Sequence, residues 1–279
     1  MSSSRIRLIV LFLLFLSGMS QAQTKGVVSF GRLKNLEFVN QFYDGGTGSL
    51  GSGPGPNYGL TFTANAQAII SASKGGSGNF INNPGGYPVM FFQTGNSATM
   101  TATNGMQQAV WFYYSALQAG VVTVYAGPNG TGNILASVTL PPNNSGCTGY
   151  KLCVWSPVGV PLSATAGSIS FAGVADYLAI DTIHLGSALP TSMVLTSSQN
   201  PSVQGEAVTF TATVTATGAA PVGNVTFKAA GHVLGVVPVV GGVASVTVSS
   251  LKTGSTLVSA KFQGTGFTTI VRSLSQAVN

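Results

Sequence analysis

Short runs that alternate apolar and hydroxyl side chains, separated by glycine- and proline-rich turns, dominate this chain beyond its N-terminal segment. Clear examples are residues 98–103, 121–125, 134–140 and 208–215. A period of two places successive side chains on opposite faces of a strand, and β-branched residues favour extended backbone. Helical periodicity is almost absent. The pattern predicts an all-β fold of antiparallel sandwiches, in which each sheet has one buried and one wetted face.

A shift in composition at residues 186–190 (Gly-Ser-Ala-Leu-Pro) divides the chain into two parts. The part before it holds most of the aromatic residues and long glycine-rich loops, whereas the part after it contains no Tyr or Trp. Domain boundaries commonly fall in exposed Pro- and Gly-containing segments. We therefore predict one sandwich at residues 23–188 and a second at residues 189–279.

Seven strands are predicted in the second part from its alternating runs and turns. Their predicted bounds are residues 193–198, 207–217, 224–229, 232–240, 244–250, 256–262 and 268–278. The ordered segments 196–202, 205–214, 221–227 and 250–254 resemble the bacterial Ig-like repeat domain of exported surface proteins. The resemblance covers residues 189–279 almost entirely and implies an Ig-like β-sandwich. The last hairpin departs from the family, because Gly264-Thr-Gly-Phe267 lacks its frequent acidic residue.

Residues 42–59, a glycine-rich segment that opens with Phe-Tyr-Asp, are similar to the start of jelly-roll-like domains in PEP-CTERM-type exported bacterial proteins. Residues 112–115, 127–136 and 180–183 extend the similarity over residues 31–187. It implies a jelly-roll-like β-sandwich at residues 23–188. That family ends in a Pro-Glu-Pro motif, an apolar helix and basic residues. This sequence has none of these sorting elements, so the family's sorting route is not carried over.

The first 22 residues predict a signal peptide. Arg5 and Arg7 precede the apolar run 8–16, and Ser20-Gln-Ala22 provides small residues for cleavage after Ala22. A membrane-spanning helix needs about 20 apolar residues, so an uncleaved anchor is the weaker alternative. No second apolar run of that length follows. We predict a secreted protein, extracellular or at the cell surface, with no transmembrane segment after cleavage.

Titratable chemistry is scarce in this chain. It has five Asp and Glu residues and two His, and charged residues make up 6% of it. General acid–base and nucleophilic catalysis draw on these residue types, so the composition argues against an enzyme. The eleven Lys and Arg residues form no basic stripe, which argues against nucleic-acid binding.

Three segments match catalytic motifs in the spacing of their residues but not in their predicted structural context. Residues 46–51 fit the dinucleotide-binding pattern G-x-G-x-x-G, but Pro54-Gly-Pro56 follows where a helix is required. Ser71-Ala-Ser-Lys74 and Lys252-Thr-Gly254 match serine β-lactamase motifs. The first lies in a strand-like run and the second in the other predicted domain, so they cannot converge on one serine. No catalytic residue is predicted.

Cys147 and Cys153 are the only cysteines, with five residues between them. In an oxidising compartment they predict a local disulfide that pins a loop. A zinc site would need four ligands, which two cysteines without a neighbouring histidine do not supply.

Three carboxylates are candidate metal ligands. Jelly-roll binding modules often hold a structural calcium between an acid near the first strand and one near the last, and the resemblance places Glu37 and Asp181 there, with Asp44 as a third ligand. Backbone carbonyls of the glycine-rich loop would complete the six to eight oxygens that calcium takes. The alternative is that these acids cap turns or pair with Arg32 or Lys34. No other cofactor is predicted.

The aromatic run at residues 111–114 follows the pleat of a strand. Val110, Phe112, Tyr114 and Ala116 share the more apolar face and are predicted to face the core. On the other face, Trp111 and Tyr113 are candidates for stacking on a sugar ring, as is Trp155 beside the cysteine loop. The alternative is packing beneath a loop or against the other domain, because aromatic residues are usually structural. His184 and His232 are assigned structural roles.

These features favour a non-catalytic secreted or surface-associated protein for adhesion or carbohydrate binding, with an Ig-like spacer or interaction domain. The predicted partner is an extracellular glycan or a surface protein. A structural extracellular matrix or envelope protein that acts by protein–protein contacts is the alternative. The third option, a glycoside hydrolase using Glu37 or Asp44, would need two facing carboxylates.

Overall fold

The computed structural model of this protein describes residues 24–86 and 88–279, and the predicted signal peptide lies outside these residues. Strands account for nearly all of the regular structure. The first twelve are β1 (Gly26–Val28), β2 (Glu37–Phe38), β3 (Leu60–Phe62), β4 (Gln67–Ile69), β5 (Val89–Phe91), β6 (Ser97–Met106), β7 (Ala109–Ala116), β8 (Gly120–Tyr125), β9 (Ile134–Leu140), β10 (Ser156–Pro161), β11 (Ala166–Ala172) and β12 (Leu178–Leu185).

Strands β5 to β12 follow the order of a jelly roll. One sheet contains β5-β12-β7-β10 and the facing sheet contains β6-β11-β8-β9, with every neighbouring pair antiparallel. All consecutive strands in this set switch sheets except β8 and β9, as expected for two interlocked Greek keys. Strands β1, β2 and β4 extend the first sheet to seven strands, and β3 extends the second to five. The predicted jelly-roll-like β-sandwich is confirmed.

The core of this sandwich lies between its two sheets. Val110, Phe112, Tyr114 and Ala116 all belong to it, as the pleat of β7 predicted. Phe112 packs edge-to-face on Phe171 of the opposite sheet, with ring centroids 5.2 Å apart. Fully burying a side chain of this kind contributes about 1.5–3 kcal/mol, so β7 joins the sheets through the side chains of one face.

The second sandwich is Ig-like. Its strands are β13 (Thr191–Ser197), β14 (Val208–Ala216), β15 (Asn224–Ala229), β16 (His232–Pro238), β17 (Val243–Val248), β18 (Gly254–Gln263) and β19 (Ile270–Val278). They form the sheets β13-β14-β17 and β16-β15-β18-β19 around a core that includes Phe210, Phe227 and Phe262. The seven predicted strands are confirmed, and each bound lies within two residues of its predicted position.

The segment Ser71–Lys74 does not form the strand that its sequence predicts. Residues Ala72–Lys74 form a short 3-10 helix, with Ser71 as its N-cap. The hydroxyl of Ser71 is fully buried, accepts from the amide of Ser73 and donates to the carbonyl of Phe80. Local side-chain bonds of this kind compete with strand pairing. Among the described residues, no helix has the length and apolar character needed to cross a membrane.

A backbone hydrogen bond joins the two sandwiches directly. The amide of Gly159 in β10 donates to the carbonyl of Gly218 in the second sandwich, at 2.9 Å. At the end of the connecting segment, the amide of Leu189 donates to the carbonyl of Gly266 at 2.8 Å, which fixes this segment to the second sandwich. Together these bonds hold the Ig-like sandwich against the outer face of β10 and β7.

Apolar contacts reinforce this junction. Ala109 of β7 is fully buried in the hydrophobic cluster of the second sandwich, together with Leu189, and Trp111 packs against the same cluster. Because β7 belongs to the first sandwich, the cluster crosses the domain boundary. The Ig-like sandwich is therefore docked on its neighbour.

Substitution of Gly266 tests this docking. Gly266 has a φ of 79°, and a Cβ there would lie 2.5 Å from the carbonyl oxygen of Gln108 in the first sandwich. Gly205 has a φ of 85° and no heavy atom within 4 Å of its Cβ position. Both Gly→Ala variants bear a left-handed backbone cost of about 1–2 kcal/mol. We expect only Gly266→Ala to increase the radius of gyration in small-angle X-ray scattering. Equal radii for both variants would contradict a docked arrangement.

Candidate ligand-binding pocket

A pocket of about 270 Å³ lies on the outer face of the seven-stranded sheet, on the side of the first sandwich away from its core. Its floor is formed by one residue from each of three strands, Ile69 of β4, Phe91 of β5 and Ala179 of β12, whose side chains point away from the core. Their neighbours Ala68, Met90 and Ile180 point into the core. The remaining lining residues are Leu36, Ser77, Gly78, Asn79, Phe80, Gln93, Lys151, Leu152, Asp176 and Leu178.

Two loops cover this part of the sheet. Phe80 of one loop and Leu152 of the other are buried with Val89 and Ala179 in a small apolar cluster separate from the main core. Trp155 packs against the same cluster. The cluster excludes water between the loops and the sheet, so it holds one wall of the pocket in place.

The two loops are also joined to each other by backbone pairing. The amide of Leu152 donates to the carbonyl of Asn79 at 3.2 Å, and the amide of Ile81 donates to the carbonyl of Leu152 at 3.0 Å. The side-chain oxygen of Asn79 accepts from the amide of Lys151 at 2.8 Å. These bonds form a short parallel bridge, which fixes the pocket rim.

Asn144 fastens the second loop to strand β7. Its Oδ1 accepts from the amides of Cys153 and Val154 at 2.7 and 2.9 Å. Its Nδ2 donates to the hydroxyl of Ser115 at 2.9 Å and to the carbonyl of Ala116 at 3.2 Å. This asparagine is not among the site residues predicted from the sequence. The available signal was an Asn-Asn pair just before the cysteine loop.

The disulfide between Cys147 and Cys153 is confirmed, with a Cα–Cα distance of 5.7 Å. It closes the part of the loop that contains Lys151 and Leu152, both of which line the pocket. The loop that the sequence predicted to be pinned is therefore one of the covers of this pocket.

The pocket rim is polar. The side chains of Gln93, Lys151 and Asp176 are exposed there. Within residues 24–86 and 88–279, no group hydrogen-bonds to the ends of these three side chains. Their polar groups are therefore available to a bound molecule, in contrast to the engaged oxygen of Asn79.

The predicted aromatic candidates, the pair Trp111 and Tyr113 and the separate Trp155, make contacts within the protein. Trp111 stacks on His184, with ring centroids 3.5 Å apart and planes 7° from parallel, and packs at the junction with the second sandwich. Tyr113 is inclined by 74° to Trp111. Trp155 donates its Nε1–H to the carbonyl of Ile81 at 2.9 Å. Trp111 and Trp155 therefore make the packing contacts of the alternative interpretation, and a role of either in sugar stacking stays a prediction. Burial lowers the pKa of His184, which keeps its stacked ring neutral at pH 7.

Glu37 fastens the glycine-rich loop. Its fully buried carboxylate accepts from the amides of Lys34, Leu50 and Ser52, at 2.7 to 3.0 Å, and from the hydroxyl of Ser52. Burial raises the pKa of Glu37, but these hydrogen bonds together bring it below its usual value. A Cβ on Gly48 would lie 2.4 Å from Oε1 of Glu37. The loop can therefore lie this close to the Glu37 side chain only because residue 48 is a glycine.

The predicted calcium ligands lie apart. Asp181 of β12 and Glu37 of β2 are separated by β5 and β4, which is about 14 Å at normal strand spacing. Calcium ligands lie about 2.3–2.6 Å from the ion, so Glu37 and Asp181 do not have the spacing that one shared ion requires, and calcium binding stays a prediction. Asp44 is exposed and pairs through its backbone with Asn57. Among the described residues, no group of three or more His, Cys, Asp or Glu is placed to hold a metal ion.

Asp181 is a buried structural carboxylate. Its oxygens accept from the amide of Gly85 at 2.7 Å, from Asn83 at 3.2 Å and from the hydroxyl of Thr182 at 3.0 Å. Burial raises the pKa of Asp181 and outweighs these hydrogen bonds. The contacts of Glu37 and Asp181 thus match the alternative that these acids fix turns, although their donors are amides and hydroxyls and not the charged side chains of Arg32 or Lys34.

Residues 195–279 match the family model of the bacterial Ig-like domain, group 3. The C-terminal part is therefore Ig-like, as the resemblance implied. No curated protein matches the chain. The resemblance of the N-terminal part to PEP-CTERM-type proteins stays a prediction.

The solved structures that this chain matches have low sequence identity to it and low TM-scores. The endo-D glycoside hydrolase domain from Streptococcus pneumoniae is 9% identical over 78% of this chain, with a TM-score of 0.27, and the match covers 37% of that structure. A family 6 carbohydrate-binding module is 11% identical over 45% of this chain and 86% of its own, with a TM-score of 0.29. The cleaved adhesin domain of Lys-gingipain from Porphyromonas gingivalis is 16% identical over 45% of this chain and 96% of its own, with a TM-score of 0.29. TM-scores this low support no functional argument.

The Glu37 anchor predicts a pH dependence of stability. Because its pKa is lower in the folded protein than in the unfolded chain, its contribution is present above the unfolded pKa of about 4.3 and is lost as the pH falls through the folded value. We expect Glu37→Gln to reduce the free energy of unfolding by about 2 kcal/mol at pH 7, and by less at pH 3, in urea titrations. The exposed Glu206→Gln is the control. A deficit for Glu37→Gln that is equal at both pH values would contradict this assignment.

Proposed function

We propose that this protein is a non-catalytic, exported binding protein that holds one sugar ring in the pocket on the outer face of the seven-stranded sheet. The observation that supports this most is the combination of an apolar floor with a rim of unengaged polar side chains. Phe91 and Ile69 offer apolar surface, and Gln93 offers an amide. A sugar ring has an apolar face and a hydroxyl edge, and binding sites commonly pair apolar walls with a few placed polar groups.

The size of the pocket supports a single ring as the ligand. Its volume of about 270 Å³ is just below the range of about 300–1,000 Å³ that is typical for drug-sized ligands. A longer glycan would then enter by a terminal or protruding residue, with the rest of the chain in solvent.

The arrangement of acids supports a binding role without catalysis. Asp176 is the one acid among the residues that line the pocket, whereas glycoside hydrolysis normally uses two facing carboxylates. Glu37, a candidate acid for a hydrolase, is fully buried and accepts one hydrogen bond from Lys34 and three from the glycine-rich loop. It does not face a substrate.

Export is supported by the disulfide and by the Ig-like sandwich. Disulfides persist mainly in oxidising compartments, and the one here closes a loop of the pocket. The docked Ig-like sandwich would act as a rigid spacer between the pocket and whatever the protein is attached to.

The alternative, a structural envelope protein acting by protein contacts, is favoured by one observation on the second sandwich. Several valines there are strongly exposed, including Val240 at 74% and Val222 at 67%. Such residues would contribute to contacts with another protein. Retention of the protein by purified envelope without competition from any glycan would support this alternative.

Gln93→Ala tests the sugar pocket. The side chain is exposed and unengaged, so its removal should leave the melting temperature unchanged. One hydrogen bond to a ligand contributes about 0.5–1.5 kcal/mol, so we expect affinity to fall about 2- to 12-fold. Affinity electrophoresis in gels containing xylan, mannan, laminarin or chitosan measures the effect.

The control is the exposed Gln263→Ala in the second sandwich, which should bind as the unchanged protein does. If Trp111→Ala abolished retardation while Gln93→Ala had no effect, the ligand would lie at the domain junction and the proposed pocket would be wrong.

A further inference from the structure

Two opposite charges lie on the rim of the same pocket. Lys151 and Asp176 both line it and are both exposed. Charged residues make up only 6% of this chain, so a cation and an anion around one small pocket stand out from the neutral surface. Neither side chain has an ion-pair partner within 4.0 Å among the described residues, and they do not pair with each other.

Separate backbone attachments fix the two positions. Lys151 lies inside the disulfide-closed loop, and its amide donates to Oδ1 of Asn79. Asp176 lies in the turn before β12, where its amide donates to the carbonyl of Phe92 at 3.0 Å. The two attachments are independent, so the fold, and not a bond between the side chains, sets the spacing of the two backbone positions.

An unpaired cation and an unpaired anion around a pocket favour a ligand that carries both charges. A ligand carboxylate would be attracted to the ammonium group of Lys151, and a ligand ammonium group to the carboxylate of Asp176. Exposed pairs contribute about 0.2–1 kcal/mol each, and more where the ligand displaces water and lowers the local dielectric constant. Two such pairs would give about a 2- to 30-fold advantage over a neutral ring.

Ligands with one kind of charge gain less from this rim. A carboxylate sugar is attracted by Lys151 but repelled by Asp176, and an amino sugar has the reverse balance. The two contributions partly cancel when one small ring occupies a pocket between both groups. The rim therefore distinguishes a zwitterion from either ion alone.

We propose that the pocket selects a zwitterionic sugar, one that bears both an amine and a carboxylate, with the carboxylate at Lys151 and the ammonium group at Asp176. This inference rests on the proposed function, because it assigns the ligand class of the same pocket. It makes Lys151 and Asp176 the residues that determine specificity, while Phe91 and Gln93 serve any ring that fits.

Four monosaccharides form a matched test: glucose, glucosamine, glucuronic acid and muramic acid, which carries both groups. Isothermal titration calorimetry or ligand-observed NMR measures their affinities. We expect muramic acid to bind most tightly and the two singly charged sugars to lie close to glucose. The advantage of muramic acid should shrink as salt rises from about 0.01 M to about 1 M, where the Debye length falls from about 30 Å to about 3 Å.

Neutral variants separate the two charges. Lys151→Gln should remove the attraction for the carboxylate of the ligand, so that muramic acid binds about 1.4- to 5-fold less tightly while glucose is unaffected. Asp176→Asn should remove the attraction for the ammonium group of the ligand and weaken muramic acid binding by a similar factor. Asp176 has a φ of 65°, a conformation that asparagine tolerates, so this variant keeps the turn. Lys252→Gln and Asp44→Asn are the matched exposed controls.

The outcomes distinguish this inference from the proposed function. If all four sugars bound equally, with no effect of either charge variant but weaker binding in Gln93→Ala, the sugar pocket would stand and the charge selectivity would be overturned. If no sugar bound to the unchanged protein, both would be overturned. A muramic acid preference that disappears in Lys151→Gln and Asp176→Asn, and persists in the two controls, would support both.

Discussion

The hydrogen bonds of Asn144 are the interaction on which the candidate pocket depends. The outer face of a sandwich sheet is normally wetted, and a loop that packs on it needs partners for the backbone amides that it takes out of water. Asn144 supplies acceptors to Cys153 and Val154 and donors to Ser115 and Ala116. Because one side chain satisfies both the loop and strand β7, the loop can stay on the sheet and close one side of the pocket.

Because charged residues are scarce in this chain, amide and hydroxyl groups make the hydrogen bonds that fasten its loops. Glu37 fastens the glycine-rich loop through amide and hydroxyl donors, and Asp181 holds the turn at Gly85 in the same way. Neither acid depends on a neighbouring cation in these bonds. Because local, uncharged groups hold these loops, the side chains of Lys151 and Asp176 make no hydrogen bond or ion pair among the described residues. Both are therefore available to a ligand at the pocket rim.

The strands could be predicted from the sequence because alternation and turns are local signals, as the seven strands of the second sandwich show. The disulfide followed from compartment and spacing. The pocket could not be predicted, because residues 77–80, 93, 151–152 and 176 meet only through the jelly-roll topology. Glu37 was assigned to calcium since backbone amides leave no trace in sequence, and the packing of Trp111 depends on how the second sandwich docks.

The most direct test of the account is a map of backbone amide chemical shifts in isotope-labelled protein titrated with muramic acid. We expect the shifts to change at residues 77–80, 93, 151–152 and 176, with the Ig-like strands unaffected. Changes confined to the junction around Trp111, or to the exposed valines of the second sandwich, would contradict it.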